Sequence, residues 1–134
     1  MSIHQSEVEV LKKRSLEFLE EARMALGRGA YDVACFLAEQ ALQLFLKSAL
    51  LKVAGDYPRA GVRRLLGELS RILKSREIME FVRANRARLS ALEDAYMMAR
   101  YFVKEYDEED AKDMVELAWE AMKLVGRVVG LELH

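Results

Sequence analysis

One short stretch carries side chains suited to chemistry on an anion: Tyr96-Met97-Met98-Ala99-Arg100-Tyr101. Tyr96 and Arg100 are i, i+4 neighbours, so on a helix both project from one face, where a guanidinium and a phenol can hold a phosphate or stack on a base. The plainer alternative is an Arg whose stem lies over aromatic surface and whose head pairs with Glu93 or Asp94. Lys47 is a second cation within reach of a ligand. It closes a polar strip, Glu39, Gln43 and Lys47, whose i, i+4 spacing lines the three side chains along one helix edge. Tyr96, Arg100, Tyr101 and Lys47 are therefore the candidate contacts for a nucleotide or RNA.

Most other chemistries lack their residues. There is no Gly-rich phosphate loop, no His-Glu-x-x-His, no Gly-x-Ser-x-Gly turn and no Glu-x-x-His pair for a di-iron bundle. His4 and His134 lie at the two ends of the chain, where exposure and mobility are expected. Cys35 is alone, which excludes an internal disulfide and a Cys-rich metal site, and it reads as a small core residue. No metal and no cofactor is expected. A single thiol and no signal peptide suit a reducing cytoplasm.

The element that must position these residues is Tyr31 to Val53. It reads as one long helix, apolar around most of its circumference, with alanines alternating with Leu and Phe so that neighbouring helices approach closely. Before it, Ser6-Glu7-Val8-Glu9 forms a capping box that predicts the start of a first helix, with Val8, Leu11, Ser15, Phe18, Leu19, Ala22, Ala25 and Leu26 on its inner face. Gly27-Arg28-Gly29 stops that helix and predicts a tight antiparallel reversal. Gly55-Asp56-Tyr57-Pro58 is the strongest loop signal. Val62 to Leu73 follows as an amphipathic helix, then Ser75 to Val82 as a short connecting one. Asn85 is placed to cap the next helix, whose stripe is Leu89, Leu92, Ala95, Tyr96, Ala99, Phe102 and Val103. Asp107-Glu108-Glu109-Asp110 sets four acids at the positive end of the last helix. Trp119 sits at the flank of that helix's apolar stripe.

The expectation is a single all-α domain over residues 1–134, an antiparallel up-and-down four-helix bundle with one additional short helix. Composition agrees: 52% hydrophobic and 32% charged residues with one Pro describe neither a disordered nor a fibrous chain. Lys+Arg (21) nearly cancels Asp+Glu (22), so the molecule as a whole is no glove for nucleic acid. Arg59 to Arg88 holds nine basic residues against three acidic ones, read as solvated helix faces because only Phe81 interleaves the arginines. No uncharged apolar run approaches the ~20 residues of a membrane span. Asn85 is the only Asn and Thr is absent, a balance often found in thermophile proteins.

Gly29-Ala30-Tyr31-Asp32-Val33-Ala34, Ala38-Glu39-Gln40-Ala41-Leu42-Gln43-Leu44-Phe45-Leu46-Lys47-Ser48-Ala49-Leu50, Tyr57-Pro58-Arg59, Leu65-Leu66, and Ala95-Tyr96 with Arg100-Tyr101 resemble, in order and spacing, the HEPN domain in its small stand-alone archaeal and bacterial form. The resemblance implies a four- or five-helix bundle, often a homodimer, and association with a minimal nucleotidyltransferase encoded alongside. For many members it implies metal-independent ribonuclease activity in toxin–antitoxin or defence systems. Ribonuclease members carry an Arg followed, after four to six intervening residues, by a His that moves the proton of a ribose 2′-hydroxyl while the Arg stabilises the phosphate charge. Arg100 stands where that Arg is expected. Glu105, Tyr106 and Asp107 occupy the places for the His, so a ribonuclease would need Glu105 or Tyr106 as its substitute. Relatives often have Thr-His after the proline, where this chain has Ala60-Gly61. Arg127 and His134 match the spacing formally but lie outside the family's position. The expected function is thus a dimeric partner of a minimal nucleotidyltransferase that binds nucleotide or RNA; the alternatives are a ribonuclease with a degenerate motif and a helical scaffold.

Overall fold

The computed structural model describes residues 2–133, which form six helices and no strand. These are α1 (Ile3–Gly27), α2 (Tyr31–Ala54), α3 (Val62–Leu73), α4 (Arg76–Ala84), α5 (Arg86–Tyr101) and α6 (Glu108–Val129). All six segments read as helical from the sequence are helices, one more than the four long and one short helix of the expected bundle. His134 lies outside the described residues.

Helix α2 is central because four neighbours pack against it, α1, α3, α5 and α6. Ala34, Cys35, Ala38, Ala41, Leu42, Phe45, Leu46 and Ala49 have no exposure. By length and composition alone this helix would also serve to cross a membrane. Here its apolar surface is spent on the protein core, which answers the same hydrophobic demand. The turn that delivers it is as the sequence indicates: Gly29 sits at φ 80°, a left-handed conformation that costs other residues.

Contacts at the helix ends give the directions. Tyr106, just ahead of α6, donates its N–H to Asp32 at the start of α2 (2.7 Å), and Lys52 at the end of α2 reaches the Gly130 carbonyl after α6 (2.9 Å). The two helices therefore run the same way. Phe36 stacks on Tyr96 and Arg88 pairs with Asp113. Helix α5 thus runs against α6, and the Arg100 end of α5 lies beside the start of α2.

Three local expectations need correction. Helix α1 begins four residues earlier than the Ser6 box, because Ser2 and Gln5 make the same reciprocal cap one turn ahead. Asn85 marks the α4–α5 boundary without capping α5: its amide donates to the Phe81 carbonyl and its oxygen accepts from Arg88. Helix α5 stops at Tyr101, where Phe102 turns extended (φ −130°, ψ 160°) and leaves Phe102 and Val103 exposed; Ala99, still within the helix, is exposed too, so none of the three joins the inner stripe. At its start α6 opens on Asp107, whose side chain caps Asp110 while Asp110 caps Asp107 in return.

Candidate functional site

The end of α5 gathers the aromatic and cationic residues. Arg100 Nη1 donates to the Tyr96 hydroxyl at 2.6 Å, and the guanidinium lies 5.1 Å from the Tyr96 ring centre and 5.3 Å from that of Tyr101. A cation held over two ring faces is attracted by both quadrupoles. Tyr96 is in turn braced by Phe36 of α2, the ring centres 6.0 Å apart and the planes inclined by 22°. No carboxylate among the described residues takes the Arg100 head. Glu93, one of its expected partners, is occupied by Arg63, which donates to it from the backbone N–H and from the guanidinium. The anion-binding face of Arg100 is consequently available, with Tyr101 61% exposed beside it.

Between α5 and α6 the chain forms a strap, residues 102 to 107. Its outer part leaves Phe102 and Val103 in water, and its inner part buries Tyr106. Two bonds fix the inner end: the Tyr106 N–H on Asp32 and the Asp107 cap on α6. Burial, reinforced by the neighbouring Cys35, Asp94, Asp110 and Asp32, pushes the Tyr106 phenol up to about 12. It stays protonated at neutral pH and is no base there. Lys104 lies over its ring at 5.0 Å. Glu105 is exposed on the same strap, and with Tyr106, Gly29, Tyr31, Asp32 and Val33 it borders a hollow of about 290 Å³.

Lys47 does not join this group. It donates to Gln43 (3.0 Å) and faces the Tyr57 ring at 5.7 Å. Eleven residues separate it from Phe36, about 16 Å along α2 at 1.5 Å per residue. The strip it belongs to forms as the spacing indicates, but its first member is buried: Glu39 is 1% exposed and accepts from Gln40 (2.7 Å) and Gln43 (2.9 Å). Burial raises the Glu39 carboxyl above its ordinary value, those two donors pulling the other way.

Of three further residues one departs from expectation, His4, while Cys35 and Trp119 lie in the core and at its edge as their types indicate. His4 is half-buried and tied by Nε2 to the Leu51 carbonyl, so it is neither free nor at a candidate site. Cys35 is fully buried, and burial together with the charges of Asp110, Asp32 and Asp107 pushes its thiol up to about 12, which makes it inert. Trp119 is half-buried between Arg23 and Lys123. Among the described residues no group of three or more His, Cys, Asp or Glu is placed to hold a metal ion. Phe36 and Asp32 carry the site's support, and sequence pattern does not show it: Phe36 acts through a ring on another helix, and Asp32 through a partner 74 residues away.

The chain is thus an all-helical domain with an arginine displayed on two tyrosine rings. Its family follows from comparison. A family model for the HEPN domain matches residues 8–128, and the chain belongs to that family. Among solved structures it is similar to the crystal structure of TT1696 from Thermus thermophilus, with a TM-score of 0.76 and 22% identity over 90% of this chain and 97% of that one. That likeness establishes the fold. No curated protein matches the chain.

Proposed function

We propose that this HEPN protein is a cytoplasmic homodimer that serves as the partner of a minimal nucleotidyltransferase in a toxin–antitoxin or defence-type module, and that Tyr96, Arg100 and Tyr101 contact nucleotide or RNA. The observation that carries the ligand half is the Arg100 guanidinium, braced on two tyrosine rings and bound to no carboxylate among the described residues. Such an arrangement favours phosphate oxygens at the guanidinium edge and bases against the exposed ring. Family membership supports the partner half. In that reading the bundle is built on α1, α2, α5 and α6, alternating in direction along the chain, with α3 and α4 additional to them.

The test has two arms. Co-expression with the product of a neighbouring nucleotidyltransferase gene should give a complex that survives gel filtration at micromolar concentration, and separate elution would overturn the partnership. Wild type and Arg100→Ala are also incubated with a mixed RNA pool in chelator. The expected outcome is RNA retention by wild type, lost in the variant, without cleavage. Cleavage that persists in chelator and vanishes in Arg100→Ala would make the protein a metal-independent ribonuclease instead, with Glu105 as the remaining proton carrier of the strap.

A further inference from the structure

A second surface, remote in sequence from Arg100, lies on α3. Arg64, Gly67 and Arg71 fall at i, i+3 and i+7, within about 60° of arc, and Lys74 follows at the helix end about 15 Å from Arg64. All four residues are exposed, while Val62, Leu65, Leu66 and Leu69 occupy the opposite, buried side. Arg71 is shared with Glu68 at 2.7 Å, but Arg64 and Lys74 have no ion-pair partner among the described residues. Arg76 and Arg83 extend the charge along the outward face of α4, where Glu80 is the one exposed acid without an ion-pair partner among the described residues; Glu77 is taken by Arg127.

Charge on a helix face is commonly just solvated. Two residues of this stripe, however, go against their local conformational preference. Gly67 stands in the middle of α3 with an ordinary helical backbone, and a Cβ placed on it would meet nothing within 4 Å. The fold therefore has no steric need for glycine, although glycine weakens a helix interior relative to alanine. Lys74 has the opposite mismatch. It closes α3 at φ 51°, the one left-handed non-glycine position among the described residues, where glycine is the easier choice. One residue keeps the centre of the stripe flat; the other keeps its end charged.

We infer that the outer face of α3, Arg64 to Lys74, is a docking strip for the sugar-phosphate backbone of RNA, with Gly67 letting that backbone approach the helix closely between flanking cations. Charge complementarity names a polyanion, and the guanidinium groups suit phosphate oxygens in particular. The absence of aromatic side chains from the strip assigns it contact with phosphates and no reading of bases. The inference rests on the reading that the protein handles RNA, and it adds a second contact surface to the Arg100 end.

The experiment is fluorescence anisotropy of a labelled, mixed-sequence single-stranded RNA with the full chain, titrated across salt. Arg64→Gln combined with Lys74→Gln should weaken binding about tenfold and lower the slope of log K against log salt by about 1.4, since two phosphate contacts are removed. Gly67→Gln separates docking from folding. Its melting temperature should rise by roughly 3 °C through better helix propensity, while RNA affinity falls severalfold because the new side chain stands where the backbone approaches. Unchanged affinity and slope in both variants would overturn the strip, whatever Arg100→Ala does. Wild type that binds no RNA but self-associates, with association lost in the charge variant, would overturn it too and assign the face to the acidic α6 surface of a second copy. Failure of the nucleotidyltransferase complex alone leaves these readouts intact, so the two proposals fall separately.

Discussion

Along α2, most Leu, Phe and Ala residues are withdrawn from water, whereas at the end of α5 Tyr101, Phe102 and Val103 stand in it, Val103 completely. Both stretches are apolar and both continue a helical spacing. The difference is in what lies alongside. Four helices pack on α2, but beyond Tyr101 the chain must leave the helix to bring the Tyr106 amide to Asp32, so the side chains following Tyr101 lose their place on the bundle. Apolar residues built into a core serve stability, and a contiguous group left outside it marks a surface for contact.

The contrast is sharpened most by Ala38, which is fully buried on α2. Ala38→Leu should overpack the centre and cost about 1–3 kcal/mol, read as a lower denaturation midpoint. An unchanged midpoint would mean that α2 is not tightly enclosed. Next comes the buried acid of the same helix. Because the folded-state pKa of Glu39 is raised above its ordinary 4.5, its charge costs stability above that raised value, and the cost disappears as pH falls through it and then below the unfolded value. Wild type should accordingly gain stability relative to Glu39→Gln between neutral pH and about pH 4, measured by urea unfolding at several pH values. A constant difference would place Glu39 in water. The smallest effect belongs to the exposed end: Val103→Ser should change stability by less than about 0.5 kcal/mol, as surface substitutions do. A large loss there would show that the strap is part of the core after all.

The same two regions show where sequence reading succeeds. Helix α2 was legible because burial around most of its circumference leaves an unmistakable composition, and the Gly29 reversal because only a left-handed residue makes it at low cost. The inner stripe of α6 was equally plain: Ala111, Met114, Val115, Ala118, Ala121, Met122, Val125, Val128 and Val129 recur in steps of three and four, and all are buried or half-buried. The end of α5 was not, since Phe102 and Val103 keep the three- and four-residue rhythm that elsewhere means helix. Nothing local records that Asp32 competes for the backbone just ahead of α6. At the site, the pairing of Tyr96 with Arg100 followed from spacing alone. The Phe36 brace and the removal of Glu93 by Arg63 did not, because each depends on a second helix.

The bond between Asp32 and the Tyr106 amide also bears on the order of assembly. Helices α1 and α2 are joined by Arg28-Gly29-Ala30, so their contacts close only a short loop and cost little chain entropy to form. The Asp32–Tyr106 bond spans 74 residues, so its closure costs more chain entropy than the hairpin's. The strap, and with it the placement of the segment that follows Arg100, is therefore a late event in folding. A nascent chain holds a formed α1–α2 hairpin well before it displays the finished Arg100 surface.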